Sequence, residues 1–98
     1  MKDLTGQYCI VRGSGAGVYA ATILSEENGV AEMENARLIH YWSGAASTMQ
    51  IAMEGVARPG DCLITMIVPY LKIMGVVAII PATEAAKKNI AEVALWKI

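Results

Sequence analysis

Short apolar runs separated by turn-forming residues predict a mainly antiparallel β domain. Segments typical of strands occupy residues 7–12, 17–26, 30–34, 62–68 and 71–80, and residues 36–42 form a further strand or an extended arm. The last two strands are expected to meet at Pro69 and Tyr70. They are apolar on both faces, and so small a domain has few elements of its own to cover them.

A strong hairpin signal follows the second strand. Residues 28–29 are Asn-Gly, which favours a type I′ turn because both of its central positions adopt positive φ. This turn predicts that Glu27 pairs with Val30 and that Leu24 lies opposite Met33.

Two short helices are expected. Ser47 has the character of an N-cap, with Gln50 at the capping-box position. The inner stripe of this helix is predicted at Met49, Ala52, Met53 and Val56. Pro81 ends the last strand and Thr83 caps the second helix. Its inner stripe is predicted at Ala86, Ile90 and Val93.

These elements predict a single α+β domain over residues 1–98. Hairpin connections favour a small antiparallel, partly barrel-like sheet of five to six strands, with the two short helices packed on it.

The amino-acid composition bears on the oligomeric state. Hydrophobic residues make up 55% of the 98 residues and charged residues only 17%, with a mean hydropathy of +0.43. Large exposed apolar patches are rare on monomers, so the excess favours a homo-oligomer. A well-packed monomer rich in Ala is the alternative.

Charge and cysteine content exclude several classes of function. The net charge is -1 and the eight Lys and Arg residues are scattered, which argues against binding of extended nucleic acid. Cys9 and Cys62 match no metal spacing, and a lone His supplies no zinc site. We expect two buried free thiols, a reducing compartment and no cofactor or metal.

A cytoplasmic location is expected. Residues 1–4 lack the apolar core of a signal peptide. Residues 62–81 are apolar enough to test as a membrane span, but Pro69, Lys72 and Gly75 interrupt them, and two buried strands explain them better. We therefore expect no membrane association.

The glycine-rich segment 13–17 does not match a phosphate-binding loop. It lacks the required spacing, and a strand follows it instead of a helix. A hairpin tip is the favoured interpretation. The bare backbone of Gly15, beside Arg12, still allows a close approach to a ligand.

Residues 35–48 are the most distinctive segment. They combine an arginine that can pair with an anion, aromatic side chains and a capped helix start. The ligand-binding candidates here are Arg37, His40, Tyr41, Trp42, Ser47 and Thr48. Together they suit a small anionic ligand such as a nucleotide. The alternative is that Tyr41 and Trp42 are core or subunit-interface residues.

The sequence shows no combination of residues that is typical of a catalytic site. His40 is the only His and has no partner acid or nucleophile nearby in the sequence, so a structural role is favoured. We expect a protein that is not an enzyme.

The chain resembles a family of small uncharacterised phage and prophage proteins. The resemblance rests on Asn35-Ala36-Arg37, on Tyr41-Trp42 followed by Gly44-Ala45-Ala46-Ser47, on Met53-Glu54-Gly55, on Ile79-Ile80-Pro81-Ala82-Thr83-Glu84 and on Trp96-Lys97. Leu38, Ile39 and His40 replace a more basic and aromatic run of that family, and Ala82 replaces a frequent Cys. The resemblance implies a phage or prophage origin and a setting in the host cytoplasm.

Two functional hypotheses follow. The first is a homo-oligomeric binding protein that holds a small anionic ligand at subunit interfaces, for example as a sponge that sequesters a nucleotide immune signal in anti-defence. The second is a structural or protein-interaction role, as a virion accessory or a host-factor-binding protein, with Tyr41 and Trp42 as interface anchors.

Overall fold

The computed structural model describes residues 2–98; Met1, part of the segment tested for a signal peptide, lies outside them. It confirms an α+β fold with one antiparallel sheet and two helices. The strands are β1 (Tyr8–Gly13), β2 (Gly17–Glu27), β3 (Val30–Tyr41), β4 (Leu63–Ile64), β5 (Val68–Met74) and β6 (Val76–Pro81). The helices are α1 (Thr48–Glu54) and α2 (Glu84–Glu92), with a 3-10 turn at Pro59–Asp61.

The long strand β3 organises the sheet. The strand order is β4-β3-β2-β1-β6, and β5 also pairs with β3. The first half of β3 pairs with β5, beginning at Val30 opposite Met74, and its second half pairs with β4 through Ile39 and Ile64. The sequence predicted two strands over residues 30–42, whereas the structure has one continuous strand that ends at Tyr41.

Gly75 alone joins β5 to β6, although these strands pair with opposite ends of the sheet. The sheet therefore curls. The Val76 N–H donates to the Gly29 carbonyl at 2.9 Å, and the Ser14 N–H donates to the Gly75 carbonyl at 2.7 Å. Within residues 2–98 no ladder pairs β5 with β6, so the sheet is not closed.

The predicted boundary at Pro69 and Tyr70 is wrong. Both residues lie inside β5, and the break falls at Gly75, whose φ of 78° suits a residue without Cβ. The strand tolerates Pro69 because the ladder with β3 runs from Val68 to Tyr70 without a pair at the proline.

The β2–β3 hairpin has the predicted turn but not the whole predicted register. Glu27 pairs with Val30, as expected. The prediction for Leu24 is wrong, because a bulge between Ile23 and Ser25 shifts the ladder and places Ile23 opposite Met33. Ile23 is buried, and Leu24 is 39% exposed.

Both faces of the sheet are apolar, and each covers a core. One core lies between the sheet and the helices and contains Ile10, Ile39 and Ile90; the other lies inside the curl and contains Val11 and Met33. In β6, Ile80 packs against the first core and Ile79 against the second. Both faces of β6 are thus covered, but β5 is exposed along most of its length, so the expectation of few covers is wrong for β6 and holds for β5.

The N-caps of both helices are confirmed. The Ser47 hydroxyl accepts from the Gln50 N–H at 3.2 Å, and the Thr83 hydroxyl accepts from the Ala86 N–H at 3.1 Å. The predicted inner stripe of α2 is buried, as is Ala52 of α1. The α1 stripe is wrong at its two methionines, because Met49 and Met53 are exposed and Ile51 is buried instead. No helix within residues 2–98 has the length and apolar character needed to cross a bilayer.

Candidate functional site

The two candidates nearest the amino terminus lie at the β1–β2 tip. Arg12 pairs with Val18 of β2, so β2 separates it from β3. Gly15 has a φ of 95°, and a Cβ built on it would meet no atom within 4 Å. This tip is exposed and does not join the candidates on residues 35–48.

Arg37 lies on β3 opposite Ala20 and is only 4% exposed. Its guanidinium donates to three backbone carbonyls. Nε donates to Thr65 at 2.7 Å, Nη1 to Ile90 at 2.8 Å and Nη2 to Ile64 at 3.3 Å. The side chain therefore ties β3 to the β4–β5 connection and to the carboxyl end of α2, where a cation also interacts favourably with the helix dipole.

The charge of Arg37 has no carboxylate partner among residues 2–98. Burial lowers the pKa of the guanidinium, and the titratable group that acts on it is the phenol of Tyr8. Burial also raises the pKa of Tyr8 to about 12, although the charge of Arg37 opposes this rise. At neutral pH the phenol is uncharged and the guanidinium keeps its charge. Within this part of the chain, Arg37 is a buried cation held by dipoles alone.

A cavity of about 380 Å³ lies beside Arg37, between the β4–β5 connection and the end of α2. Its lining residues are Arg37, Met66, Ile67, Ala91, Val93 and Leu95. Met66, Ile67 and Leu95 are 46%, 58% and 53% exposed, so the cavity opens to solvent along this rim. The site combines one cation with apolar walls, which suits the binding of an organic anion.

His40 and Tyr41 lie at the end of β3 and outside the cavity lining. The His40 ring stacks on the Trp96 ring, with centroids 5.1 Å apart and an angle of 15° between the planes. Tyr41 is 55% exposed. Both side chains remain accessible to a partner, but they do not line the cavity beside Arg37.

Trp42, Ser47 and Thr48 have structural partners. Trp42 packs against the helix-side core, and its Nε1 donates to the Ala45 carbonyl at 3.2 Å. Ser47 caps α1, and Thr48 is buried in the first turn of that helix. Of the eight ligand-binding candidates, Arg37 alone lines the cavity.

The comparisons with known proteins place the chain in a family. Residues 6–90 match the model described as Domain of unknown function (DUF6948). The chain belongs to the DUF6948 family. The matched residues include Arg37, Met66 and Ile67 of the cavity, whereas Ala91, Val93 and Leu95 follow the match. No curated protein and no solved structure matches the chain significantly.

Sequence reasoning missed every apolar wall of the cavity in this DUF6948 member. Met66 and Ile67 come from a run that resembles a buried strand, and Ala91, Val93 and Leu95 come from the end of α2 and the residues after it. An apolar side chain carries no chemical signature, and its place in a cavity depends on which distant segments meet. The one available signal was Arg37, a charged residue within a strand-like run.

A second cavity of about 320 Å³ lies near the amino terminus, and its lining does not indicate the charge of a ligand. Its lining residues are Lys2, Asp3, Leu4, Thr5, Ile23, Ser25, Glu26 and Ile79. Charges of both signs are present there, so no single ligand charge is favoured. Within residues 2–98, no three His, Cys, Asp or Glu side chains are grouped as a metal site.

Proposed function

We propose that this protein is a non-catalytic binding protein that assembles with itself and holds a small anionic ligand in the cavity beside Arg37. The observation that carries the proposal is the burial of the Arg37 guanidinium in the wall of an open apolar cavity, with no carboxylate partner in the described part of the chain.

A buried charge is costly unless it is paired and hydrogen-bonded. The three carbonyls satisfy three of the five N–H donors of Arg37 but bring no negative charge of their own. An anion in the cavity would supply that charge, and its hydrogen bonds to the guanidinium would be charge-assisted.

Self-assembly is supported by the apolar surface. Thirteen large hydrophobic side chains are exposed in residues 2–98. Three of them, Met66, Ile67 and Leu95, form the rim of the cavity. A second copy seated on this rim would bury apolar area and enclose a bound ligand, which strengthens its interaction with Arg37 in a lower dielectric.

The biological setting that we propose follows the resemblance to phage and prophage proteins. In the host cytoplasm, the protein would sequester a small anion and so lower its free concentration. A nucleotide immune signal is one such anion, so the binding experiment described next includes nucleotides.

Thermal shift with an anion panel tests the binding role. The panel contains acetate, decanoate, AMP and a cyclic dinucleotide, each compared with chloride at equal ionic strength. At least one organic anion should raise the melting temperature of the wild type and of Val77→Glu, but not that of Ile67→Glu. Val77 is 61% exposed and does not line the cavity, so it is a matched control. The absence of any shift in a folded sample contradicts anion binding.

Light scattering at low micromolar concentration tests assembly. The wild type should have at least twice the mass of one chain, and Ile67→Glu should shift towards the single chain because it places a charge on the rim. A wild type that remains a single chain contradicts the assembly.

A protein-interaction role is the second candidate, and the exposed methionines of α1 support it. Met49 and Met53 are 68% and 47% exposed on this seven-residue helix, and Met side chains adapt to varied partners. A host protein that binds the wild type and Met74→Ser, but not Met49→Ser/Met53→Ser, would support this role.

A further inference from the structure

We propose that the ligand of the Arg37 cavity is a medium-chain fatty acid, a single carboxylate on an aliphatic tail. This inference rests on the proposed function and narrows it to one chemical class.

The charge of the cavity sets the charge of the head group. Among residues 2–98, Arg37 is the one charged side chain that lines it. A single guanidinium matches one carboxylate in charge, and two of its five N–H donors remain outside the bonds to the three carbonyls. A nucleotide that brings more than one phosphate charge would find no second cation among the lining residues.

The walls set the chemistry of the tail. Met66, Ile67, Val93 and Leu95 are flexible or branched aliphatic side chains, and Ala91 adds a small apolar one. Base recognition relies on stacking against aromatic rings or guanidinium planes and on hydrogen bonds to base edges. Within residues 2–98 the walls offer no aromatic ring and no polar side chain besides Arg37, so they favour an alkyl chain. A volume of about 380 Å³ lies towards the small end of ligand pockets, which fits a medium chain.

The protein itself supplies a direct reporter of this binding. Met66 lines the cavity, whereas Met74 lies at the far end of β5, about 20 Å along the strand. In protein labelled with ¹³C at the methionine methyl groups, decanoate should shift the Met66 signal in a saturable way and leave the Met74 signal in place.

Four ligands and two variants complete the experiment. Decanoate is compared with acetate, which lacks the tail, with decyltrimethylammonium, which reverses the charge, and with a cyclic dinucleotide. Decanoate should bind at least about tenfold more tightly than each of the others, a difference of about 1.4 kcal/mol. Ile67→Glu should weaken decanoate binding at least about tenfold, and Val77→Glu should leave it unchanged.

The outcomes separate this inference from the proposed function. If the dinucleotide shifts the Met66 signal and decanoate does not, the protein binds an anion as proposed, but the inference of a fatty acid is wrong. If decyltrimethylammonium binds as tightly as decanoate, Arg37 does not select the head group and the inference fails. If no ligand shifts the Met66 signal in the folded protein, both the anion-binding proposal and the fatty-acid inference are wrong.

Discussion

The side-chain amide of Asn89 forms two hydrogen bonds with the backbone of Val56. Its Oδ1 accepts from the Val56 N–H at 2.8 Å, and its Nδ2 donates to the Val56 carbonyl at 3.0 Å. One side chain on α2 thereby satisfies both backbone polar groups of a buried residue just after α1. This bidentate contact fixes the packing of the two helices.

Replacement of Asn89 should therefore destabilise the fold. In Asn89→Leu, the partly buried N–H and carbonyl of Val56 lose their partners, and we expect the free energy of unfolding to fall by about 2 kcal/mol. Urea denaturation followed by circular dichroism measures the change. Lys88→Leu, at the exposed neighbouring position, is the control; an equal loss in both variants would contradict the role of the amide.

Gly55 is expected to tolerate no side chain. Its φ is 80°, and an added Cβ would clash with Asn89 Oδ1. Gly55→Ala should combine backbone strain with this clash and lower the free energy of unfolding by about 3 kcal/mol. Gly60→Ala is the matched control, because a Cβ there meets nothing within 4 Å. Thermal melts of the two variants should separate clearly, and similar melting temperatures would contradict the close approach of Asn89 to Gly55.

Arg37 is expected to stabilise the fold whether or not a ligand is bound. Arg37→Met removes the donor to three carbonyls and should cost about 3 kcal/mol in the absence of ligand. Arg12→Met, at an exposed position, should change stability by less than about 0.5 kcal/mol. Denaturant titration of both variants checks the difference. An Arg37→Met protein as stable as the wild type would mean that these hydrogen bonds contribute nothing net.

Tyr8 gives the protein a dependence on alkaline pH. Burial raises the folded-state pKa of its phenol from 10.0 to about 12, so the folded protein holds this proton more tightly than the unfolded chain does. The resulting stability is fully present below pH 10 and is lost as the pH rises towards 12. Tyr8→Phe should therefore lose less stability than the wild type between pH 10 and 12. Parallel slopes of unfolding free energy against pH for the two proteins would show that Tyr8 does not titrate in this way.

The sequence predicted the helix caps better than the strand registers. The caps at Ser47 and Thr83 are local, because each hydroxyl reaches a backbone N–H three residues ahead. The bulge at Leu24 is not local. Ile23 is buried inside the curl, and this packing fixes the shift that exposes Leu24. Such a shift depends on the whole sheet, which the turn at residues 28–29 does not encode.

The candidate site was predicted at one residue. Arg37 stood out as a charge within an apolar run, and it lines the cavity. The expectation that Tyr41 and Trp42 would join it followed from their closeness in sequence. In the structure, Trp42 packs against the helix-side core and Tyr41 lies outside the cavity. The walls come from segments about thirty and more than fifty positions further along the chain, and no local pattern links them to Arg37.

The position of β1 between β2 and β6 has a consequence for synthesis on the ribosome. The first strand finds one of its neighbours at once, in β2, but its other neighbour, β6, is made only after β3, β4 and β5. A nascent chain that ends before Val76 leaves one edge of β1 without its hydrogen-bonding partner. Pairings between such distant segments form slowly. The emerging chain therefore exposes an open strand edge, prone to aggregation, until β6 has left the exit tunnel.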